Sequence, residues 1–366
     1  MNRNFKILVL IALTACSSVI FSCRKDLEPI IDEQQGEEQS TVDVTGLYLL
    51  NEGNYGSNKA SLDYYNYATG VYTRDIFGAA NPEVTLGLGD TGNDIKIYGS
   101  KIYLVINGSN KLEILDGKTA KRVGKVDIPN CRYVAFNKNF AYVTSYEGYV
   151  AVIDTTALST IQTKITVGNQ PDELAVVGSK LYVANSGGYN YPDYNREVSV
   201  IDLNTNKEIK KIDVAINLHR LKADKYGDLY VSSRGNYEDI PSNLYVIDTK
   251  TDAVKKVFNI PVSNFWINGD DAYIYSYNNS SQASAYIKIN VENETILSNN
   301  FISDGTDSQI SVPYGVAVDP FSGFIYVTDA KDYGSPGTLY CFDTSGKKKF
   351  SLITGDIPAH IAFVTK

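Results

Sequence analysis

The chain contains only two histidines, and each lies just before a short apolar run. His219 stands in INLHR and His360 in IPAH, so we expect the two to occupy equivalent positions of a repeat. Two imidazoles held together would bind a metal ion or act as an acid–base pair, whereas a single imidazole commonly hydrogen-bonds a neighbouring carbonyl group. The sequence leaves these interpretations open and does not require a metal.

Tyrosine is the other residue type that indicates chemistry, since there are 28 tyrosines but one tryptophan and one methionine. Many of them lie beside Asn, Ser and Gly in polar segments. This composition is typical of recognition surfaces, where rigid rings supply contact area and amides supply hydrogen bonds. The alternative is that the rings only cover loops. The segments are NEGNYGSNK from Asn51, NSGGYNYPDYNRE from Asn185, SRGNYEDIPS from Ser233, YNNSSQAS from Tyr277 and DAKDYGSPG from Asp329.

Familiar catalytic motifs are missing from the sequence, which has no HExxH, GxSxG, Walker loop or EF-hand loop. The remaining catalytic candidate is a lyase that uses His219 or His360 with Asp172 or Glu173. A carboxylate near a histidine carries little weight in a chain with 42 acidic residues. We therefore expect a non-enzymatic protein with no catalytic residues and no cofactor.

The elements that position these residues form an internal repeat that occurs seven times. Each copy opens with an apolar–Tyr–apolar strand such as LYVANSG, followed by a polar loop and two further strands. The spacing of 39 to 55 residues brackets the four-stranded blade of a propeller. The sequence thus predicts an all-β fold, a seven-bladed β-propeller over residues 46–366. The anchoring tyrosines are Tyr48, Tyr103, Tyr142, Tyr182, Tyr230, Tyr273 and Tyr326.

A second short apolar run predicts the innermost strand of each blade. No such run precedes the strand at Leu47, and the last run, HIAFVT, stands at the C-terminus. The two ends are therefore expected to share one blade, so that the C-terminal strand closes the ring and leaves no long free sheet edge. The runs begin at Asp94, Arg132, Glu173, Leu218, Phe265, Gly315 and His360.

The polar loops and the entries to the innermost strands open on the same face of a propeller, so their residues converge there. The turns on the opposite face, after Asp154, Asp202 and Asp248, are short. We therefore predict that the tyrosine-rich face binds a ligand. The candidate ligand-binding residues are Tyr55, Asn93, Arg132, Tyr146, Asp172, Tyr189, His219, Arg220, Arg234, Tyr237, Tyr277, Tyr314, Tyr333 and His360.

The N-terminus has the layout of a lipoprotein signal peptide over residues 1–22. A basic start precedes an apolar stretch from Ile7 to Phe21, and Cys23 is followed by the charged RKDLE. This layout predicts cleavage before Cys23 and lipidation of its thiol. Cys16 in LTAC also fits a lipidation motif, but cleavage there would leave the apolar SSVIFS on the mature chain. An uncleaved membrane anchor is the alternative, and the apolar stretch is short for one.

Residues 23–45 are acidic and polar and cannot bury a core, so we expect a flexible tether before the propeller. Removal of residues 1–22 takes away Arg3 and Lys6, which leaves 32 basic against 42 acidic residues. Nucleic acid is therefore excluded as a partner, because no basic stripe is present to bind phosphates. Beyond the N-terminus only Cys131 and Cys341 remain, and we expect both to be buried and unpaired.

Two segments carry a resemblance to a known family. LYVANSG with VSVIDLNTNKEIKKIDV from Val198, and AYVTS with VAVIDTTALSTIQTKITVGNQPDELAV from Val150, resemble the YVTN or YncE-like repeat of seven-bladed propellers. LYLLNEGNYGSNKASLDYYN from Leu47, together with the leader, resembles surface lipoproteins of gut Bacteroidetes that include the BtuG cobalamin-capturing proteins. This resemblance implies a lipid-anchored outer-membrane protein, exposed on the cell surface, that binds a corrinoid and delivers it to a TonB-dependent transporter. A glycan-binding or protein-interaction propeller is the alternative.

The leader gives a first testable expectation. Because lipidation requires the thiol of the first mature residue, Cys23→Ala should release the protein from the membrane fraction or leave it mislocalised. The intact mass of the N-terminal peptide is the deciding measurement, and Cys16→Ala serves as the matched control. An acylated peptide that begins at Cys16 would contradict the assignment.

Overall fold

The computed structural model describes residues 44–365, so the expected signal peptide and all but the last residues of the expected tether lie outside the described residues. Short runs rich in β-branched and aromatic residues form the strands, and tight polar turns separate them. Twenty-eight strands assemble into seven antiparallel sheets of four strands each. The sheets form a ring, so the predicted seven-bladed β-propeller is confirmed.

Each blade is described here from its innermost to its outermost strand, with strands numbered in chain order. Blade 1 contains β28 (Pro358–Thr365), β1 (Val44–Asn51), β2 (Ser61–Asn66) and β3 (Tyr72–Thr73); blade 2 contains β4 (Gly92–Tyr98), β5 (Lys101–Ile106), β6 (Lys111–Asp116) and β7 (Arg122–Asp127); blade 3 contains β8 (Cys131–Asn137), β9 (Phe140–Ser145), β10 (Tyr149–Asp154) and β11 (Ile161–Thr166).

The remaining four blades repeat this order. Blade 4 contains β12 (Pro171–Val177), β13 (Lys180–Asn185), β14 (Glu197–Asp202) and β15 (Lys207–Asp213); blade 5 contains β16 (Leu218–Ala223), β17 (Asp228–Ser233), β18 (Asn243–Asp248) and β19 (Ala253–Val257). Blade 6 contains β20 (Asn264–Asn268), β21 (Asp271–Asn278), β22 (Ala283–Asn290) and β23 (Thr295–Ser298); blade 7 contains β24 (Pro313–Val318), β25 (Ile325–Asp329), β26 (Pro336–Phe342) and β27 (Lys348–Asp356).

Helical structure within residues 44–365 is limited to two short pieces. Helix α1 (Ile76–Ala80) follows blade 1 and buries Phe77 completely, and its first turn is capped by the side chain of Asp75. A 3₁₀ turn (Thr306–Gln309) lies between blades 6 and 7. No helix in this part of the chain has the length and apolar character needed to cross a bilayer.

The anchoring tyrosines lie on the second strand of each blade, and all seven are buried. Their rings belong to the apolar cores, and several of their hydroxyls reach a turn of the next blade. Each such contact satisfies a polar group that burial would otherwise leave unpaired. The bonds run from Tyr48 to the Gly117 carbonyl (3.0 Å), Tyr182 to Asp252 Oδ1 (2.8 Å), Tyr230 to the Val291 carbonyl (3.0 Å) and Tyr326 to the Tyr67 hydroxyl (2.9 Å).

The ring closes through the C-terminal strand, as the sequence predicts. Strand β28 pairs antiparallel with β1, with Leu49 opposite Ile361 and Tyr48 opposite Ala362. Ile361 and Ala362 are buried, so the pairing also completes the apolar core of blade 1. Cys131 and Cys341 are buried free thiols, as expected.

Deletion of residues 357–366 should abolish cooperative folding. The deletion removes β28, leaves the edge of β1 unpaired and strips the apolar partners of Leu47 and Leu49. We expect loss of the sharp thermal transition measured by circular dichroism, together with aggregation. Deletion of Lys366 alone is the control, and a truncated protein that melts like the full chain would contradict the closure.

Candidate ligand-binding face

One end of the ring, called the loop face below, carries the connections from second to third strands and the entries to the innermost strands. Long connections follow β1, β13 and β17, over residues 52–60, 186–196 and 234–242. The connection after β21 is shorter than expected from the sequence, because β21 and β22 extend to Asn278 and Ala283 and leave a tight hairpin. The opposite end is called the turn face.

Four tyrosines of the loop face occupy one repeated loop position. Tyr55, Tyr189, Tyr237 and Tyr333 each stand four residues after the last residue of a second strand, in blades 1, 4, 5 and 7. The backbone two residues before each tyrosine has a positive φ, at Gly53, Gly187, Gly235 and Lys331. The same turn therefore places an aromatic ring on this face in four blades.

Glycine is required at this turn in blade 5. A Cβ on Gly235 would clash with the carbonyl oxygen of Ile240, and its φ of 66° is one that glycine adopts at no steric cost. The side chain of Asn236 then accepts hydrogen bonds from the amides of Glu238 (3.0 Å) and Ile240 (2.9 Å). This local bonding fixes the loop that carries Tyr237.

The four tyrosines differ in burial. Tyr55 is 82% exposed, and Tyr189 and Tyr237 are each 71% exposed. Tyr333 is half-buried against Tyr314, with ring centroids 6.0 Å apart. Tyr237 and Tyr333 also have positive φ values of 64° and 61°, which are uncommon for bulky residues and need a supporting structure. The loops therefore leave three of the four tyrosine rings exposed to solvent.

A buried carboxylate organises the first polar cluster of the face. Asp172, at the start of β12, is fully buried and lies 3.5 Å from Arg132 Nε and 3.3 Å from Arg234 Nη1. The hydroxyl of Tyr146 donates to Asp172 Oδ2 at 3.1 Å. The Arg132 guanidinium lies 4.5 Å from the centre of the Tyr146 ring, and the Tyr189 ring packs edge-on against Tyr146. Five of the predicted residues therefore form one cluster.

A second cluster lies on the side formed by blades 6, 7 and 1. Tyr277, Tyr314 and Tyr333 pack against a small buried core. The hydroxyl of Tyr314 donates to Glu52 Oε2 at 2.7 Å. Burial raises the pKa of Glu52, and the Tyr314 hydrogen bond partly offsets that rise. Sequence reasoning missed Glu52, although it follows its strand at the same position as Arg234 and Tyr146.

The two histidines are not at equivalent positions, so that expectation is wrong. In blade 1, His360 pairs with Leu50, the second-last residue of β1. In blade 5 the second-last residue of β17 is Ser232, and its hydroxyl oxygen accepts the Arg220 amide. Arg220, and not His219, therefore corresponds to His360. Pro358 and Leu218 pair with the last residues of β1 and β17, and His360 lies two residues after Pro358 whereas His219 lies one residue after Leu218. Arg220 donates to the hydroxyl of Tyr133, a residue that sequence reasoning missed, and the Tyr133 ring lies 6.4 Å from that of His360.

The remaining predicted residues fall into two places. Tyr55 and Tyr237 stand on the rim of the loop face without packing against the clusters. Asn93 is buried and its side chain donates to the Arg132 carbonyl at 2.5 Å, which makes it a link between blades 2 and 3. No group of three or more His, Cys, Asp or Glu side chains within residues 44–365 is arranged to hold a metal ion.

Below the loop face, charged side chains fill the central channel. Asp94, Lys96, Glu173, Arg220 and Lys222 surround a cavity of about 20 Å³, which is room for about one water molecule. Glu173 accepts hydrogen bonds from Lys222 Nζ (2.6 Å) and from the Leu221 amide of the next blade (3.0 Å). Asp94 accepts one from the Val134 amide of the next blade (3.0 Å). The channel is therefore constricted, and its carboxylates join neighbouring blades.

Residues 45–357 match the family described as Domain of unknown function (DUF5074). The chain belongs to this family. The match spans most of the propeller, and the family's description assigns it no activity. No curated protein matches the chain.

Solved structures share the fold at low sequence identity. A protein from Lactobacillus plantarum superposes with a TM-score of 0.62 and 16% identity, over 87% of this chain and 99% of that one. A quinonprotein alcohol dehydrogenase-like protein from Bacteroides thetaiotaomicron gives 0.60 and 16%, over 87% and 78%. Apo AztD from Citrobacter koseri gives 0.55 and 12%, over 88% and 99%. These likenesses support the propeller fold of this DUF5074 chain.

The histidines predict a pH dependence of stability. Burial, followed by the charges of nearby arginines, lowers the pKa of His219 and of His360 well below the usual value. Below pH 6.5 the unfolded chain therefore binds protons that the folded chain does not, so the free energy of unfolding falls as the pH falls. Each histidine contributes at most about 1.4 kcal/mol per pH unit.

Urea unfolding from pH 7.5 to 5.5 measures this effect. Wild type should lose more stability over that range than His219→Gln with His360→Gln, and each single variant should lie between them. The quantity to compare is the difference in pH slope between wild type and the variants. The raised pKa of Glu52 makes the folded chain more stable as the pH falls, and this opposite contribution is common to all the proteins. Identical pH slopes for wild type and the double variant would contradict the assignment.

Proposed function

We propose that the loop face captures a small organic ligand and that the protein acts by binding rather than by catalysis. The observation that carries the proposal is the repeated loop position that holds Tyr55, Tyr189, Tyr237 and Tyr333 on one face. The three most exposed rings contribute little to the core, and as a set on one face they favour a role in recognition. A rigid ring of blades fixes the loops in advance and lowers the entropy lost on binding.

The polar groups between the tyrosines suit a ligand rich in hydrogen-bond acceptors. Arg132, Arg220 and Arg234 lie around the mouth with Asp172 and Glu52, which gives a small excess of positive charge. Each guanidinium carries five N–H donors, so Arg132 and Arg234 keep donor capacity beyond their contacts with Asp172. Donors of this kind favour carbonyl or phosphate oxygens of a ligand.

Within this class we propose a corrinoid such as cobalamin. A corrinoid offers a broad plate for aromatic contact and a rim of amides that arginine, asparagine and tyrosine groups can bind. The choice of a corrinoid is supported by the sequence resemblance of the first blade and the leader to cobalamin-capturing surface lipoproteins. The same resemblance supports lipid anchoring at the cell surface and delivery of the ligand to a TonB-dependent transporter.

Glycan binding is the second candidate, since the exposed tyrosines suit a sugar ring equally well. Tyr55, Tyr189 and Tyr237 project from the face, and they do not line the small cavity of the channel. Such an arrangement forms a platform rather than a deep pocket, and flat aromatic platforms suit both a corrin plate and a sugar ring. The two ligands therefore need to be compared directly.

Calorimetry on the chain from residue 24 separates these candidates. Cyanocobalamin should bind, and Tyr55→Ala, Tyr237→Ala, Tyr277→Ala and Tyr333→Ala should each weaken binding by about tenfold, as expected for loss of an aromatic contact. Tyr226→Ala is the matched control, because this tyrosine is also exposed but lies in a turn at the opposite face. Its affinity should equal that of wild type.

The corrinoid proposal fails if no corrinoid releases heat while an oligosaccharide binds with the same dependence on the tyrosines. The binding proposal itself fails if neither class binds the loop face and a protein partner is retained equally by wild type and all four variants. Tyr→Phe variants at the same positions separate ring contact from hydroxyl hydrogen bonding.

A further inference from the structure

A second, larger cavity lies at the other end of the channel, open to the turn face. Its volume is about 360 Å³, within the range of ligand pockets. The walls come from the second halves of four innermost strands, β8, β12, β16 and β20, and they are largely apolar. The apolar wall residues include Val134, Phe136, Leu174, Val176, Trp266 and Ile267.

The inner end of this cavity is charged. Lys96, Glu173 and Lys222, together with Trp266, line both this cavity and the small one above it, so they form the boundary between the two. Lys222 Nζ donates to Glu173 at 2.6 Å, and Glu173 also accepts the Leu221 amide, so the charges of the two side chains offset each other. This pair is therefore internally neutral.

Lys96 is bound less completely. Its Nζ lies 3.3 Å from Asp94 Oδ1, and within residues 44–365 no other carboxylate lies within salt-bridge distance of it. Both Asp94 oxygens already accept backbone amides, Oδ1 from Ile95 (2.9 Å) and Oδ2 from Val134 (3.0 Å). An ammonium has three donors, so Lys96 keeps donor capacity at the inner end of the apolar cavity. Its side chain is 38% exposed.

The ammonium stays charged in this position. Burial lowers the pKa of Lys96, but the negative charges of Asp94 and Glu173 outweigh burial, and the pKa lies above the ordinary value. An apolar cavity with one protonated, incompletely bonded ammonium at its inner end is complementary to an amphiphilic anion.

We propose that this cavity is a second binding site, for a small monocarboxylate whose apolar body lies against Phe136 and Trp266 and whose carboxylate binds Lys96 Nζ. Aliphatic chains of about eight carbons and compact aromatic acids are the class of ligand that suits its size. The site is separated from the loop face by the charged constriction, so it does not depend on the function proposed for that face.

The chain contains a reporter for this site. Trp266 is the single tryptophan of the protein and lines the cavity. It also borders the small cavity above, which has room for about one water molecule, so a bound alkyl chain that changes its emission lies in the larger cavity. Octanoate, titrated into the chain from residue 24, should shift the emission of Trp266 to shorter wavelength in a saturable manner, because the alkyl chain displaces water from the indole.

The neutral analogue tests the charge. A hydrogen bond to an ammonium predicts that octanoate binds about ten- to a hundredfold more tightly than 1-octanol. Lys96→Met should remove this preference, and Lys96→Arg should retain it. Lys118→Met, on the exposed turn between β6 and β7, is the matched control and should behave like wild type.

The proposal is overturned if octanoate causes no saturable change in Trp266 emission, or if octanoate and 1-octanol bind wild type equally well. It is also overturned if Lys96→Met keeps the preference for octanoate. Should Lys96→Met fail to fold, the comparison of octanoate with 1-octanol on wild type and Lys96→Arg still decides. Cyanocobalamin, added at saturation, should leave the octanoate titration unchanged.

Discussion

Contact between neighbouring blades is the interaction on which the whole structure depends. A four-stranded sheet of this size cannot bury both of its faces alone, so each blade needs the next. The tyrosine of the second strand serves this contact twice, because its ring fills the core between blades and its hydroxyl bonds a turn of the following blade in cases such as Tyr182 and Tyr230. The need for contact between blades explains why this tyrosine occurs seven times in the sequence.

The same requirement explains the charges in the channel. Asp94 and Glu173 accept backbone amides from the next blade, and lysines then balance their charge. Buried ion pairs of this kind add little net stability compared with apolar packing, because desolvation offsets their attraction. Their effect here is on shape: they divide the channel into two ends with different chemistry, one polar and aromatic and the other apolar with a cationic inner end.

The fold was predictable from sequence because its signals are local and repeated. Strand periodicity, the anchoring tyrosines and the displaced C-terminal strand together specify seven blades and their closure. The loop tyrosines could also be aligned, since each stands at a fixed distance from a strand end. The two histidines were wrongly aligned because His219 lies one residue, and His360 two residues, after the position that pairs with the end of the second strand. Apolar runs in a sequence do not give this register. The Asp172 cluster was equally inaccessible, because Asp172 of blade 4 joins Arg132 and Tyr146 of blade 3 to Arg234 of blade 5. The directions of these side chains do not follow from spacing, and neither do Glu52 and Tyr133 as neighbours of the site.

Strand β1 is hydrogen-bonded along both edges, to β2 on one side and to β28 on the other. The bonds of antiparallel ladders run perpendicular to the strands, so tension directed along β1 from Val44 acts across all of them at once. The first strand can leave only by sliding past two partners together, and cannot be peeled away one bond at a time. The N-terminal end of the ring is therefore built as a shear joint, the geometry that best resists a mechanical load.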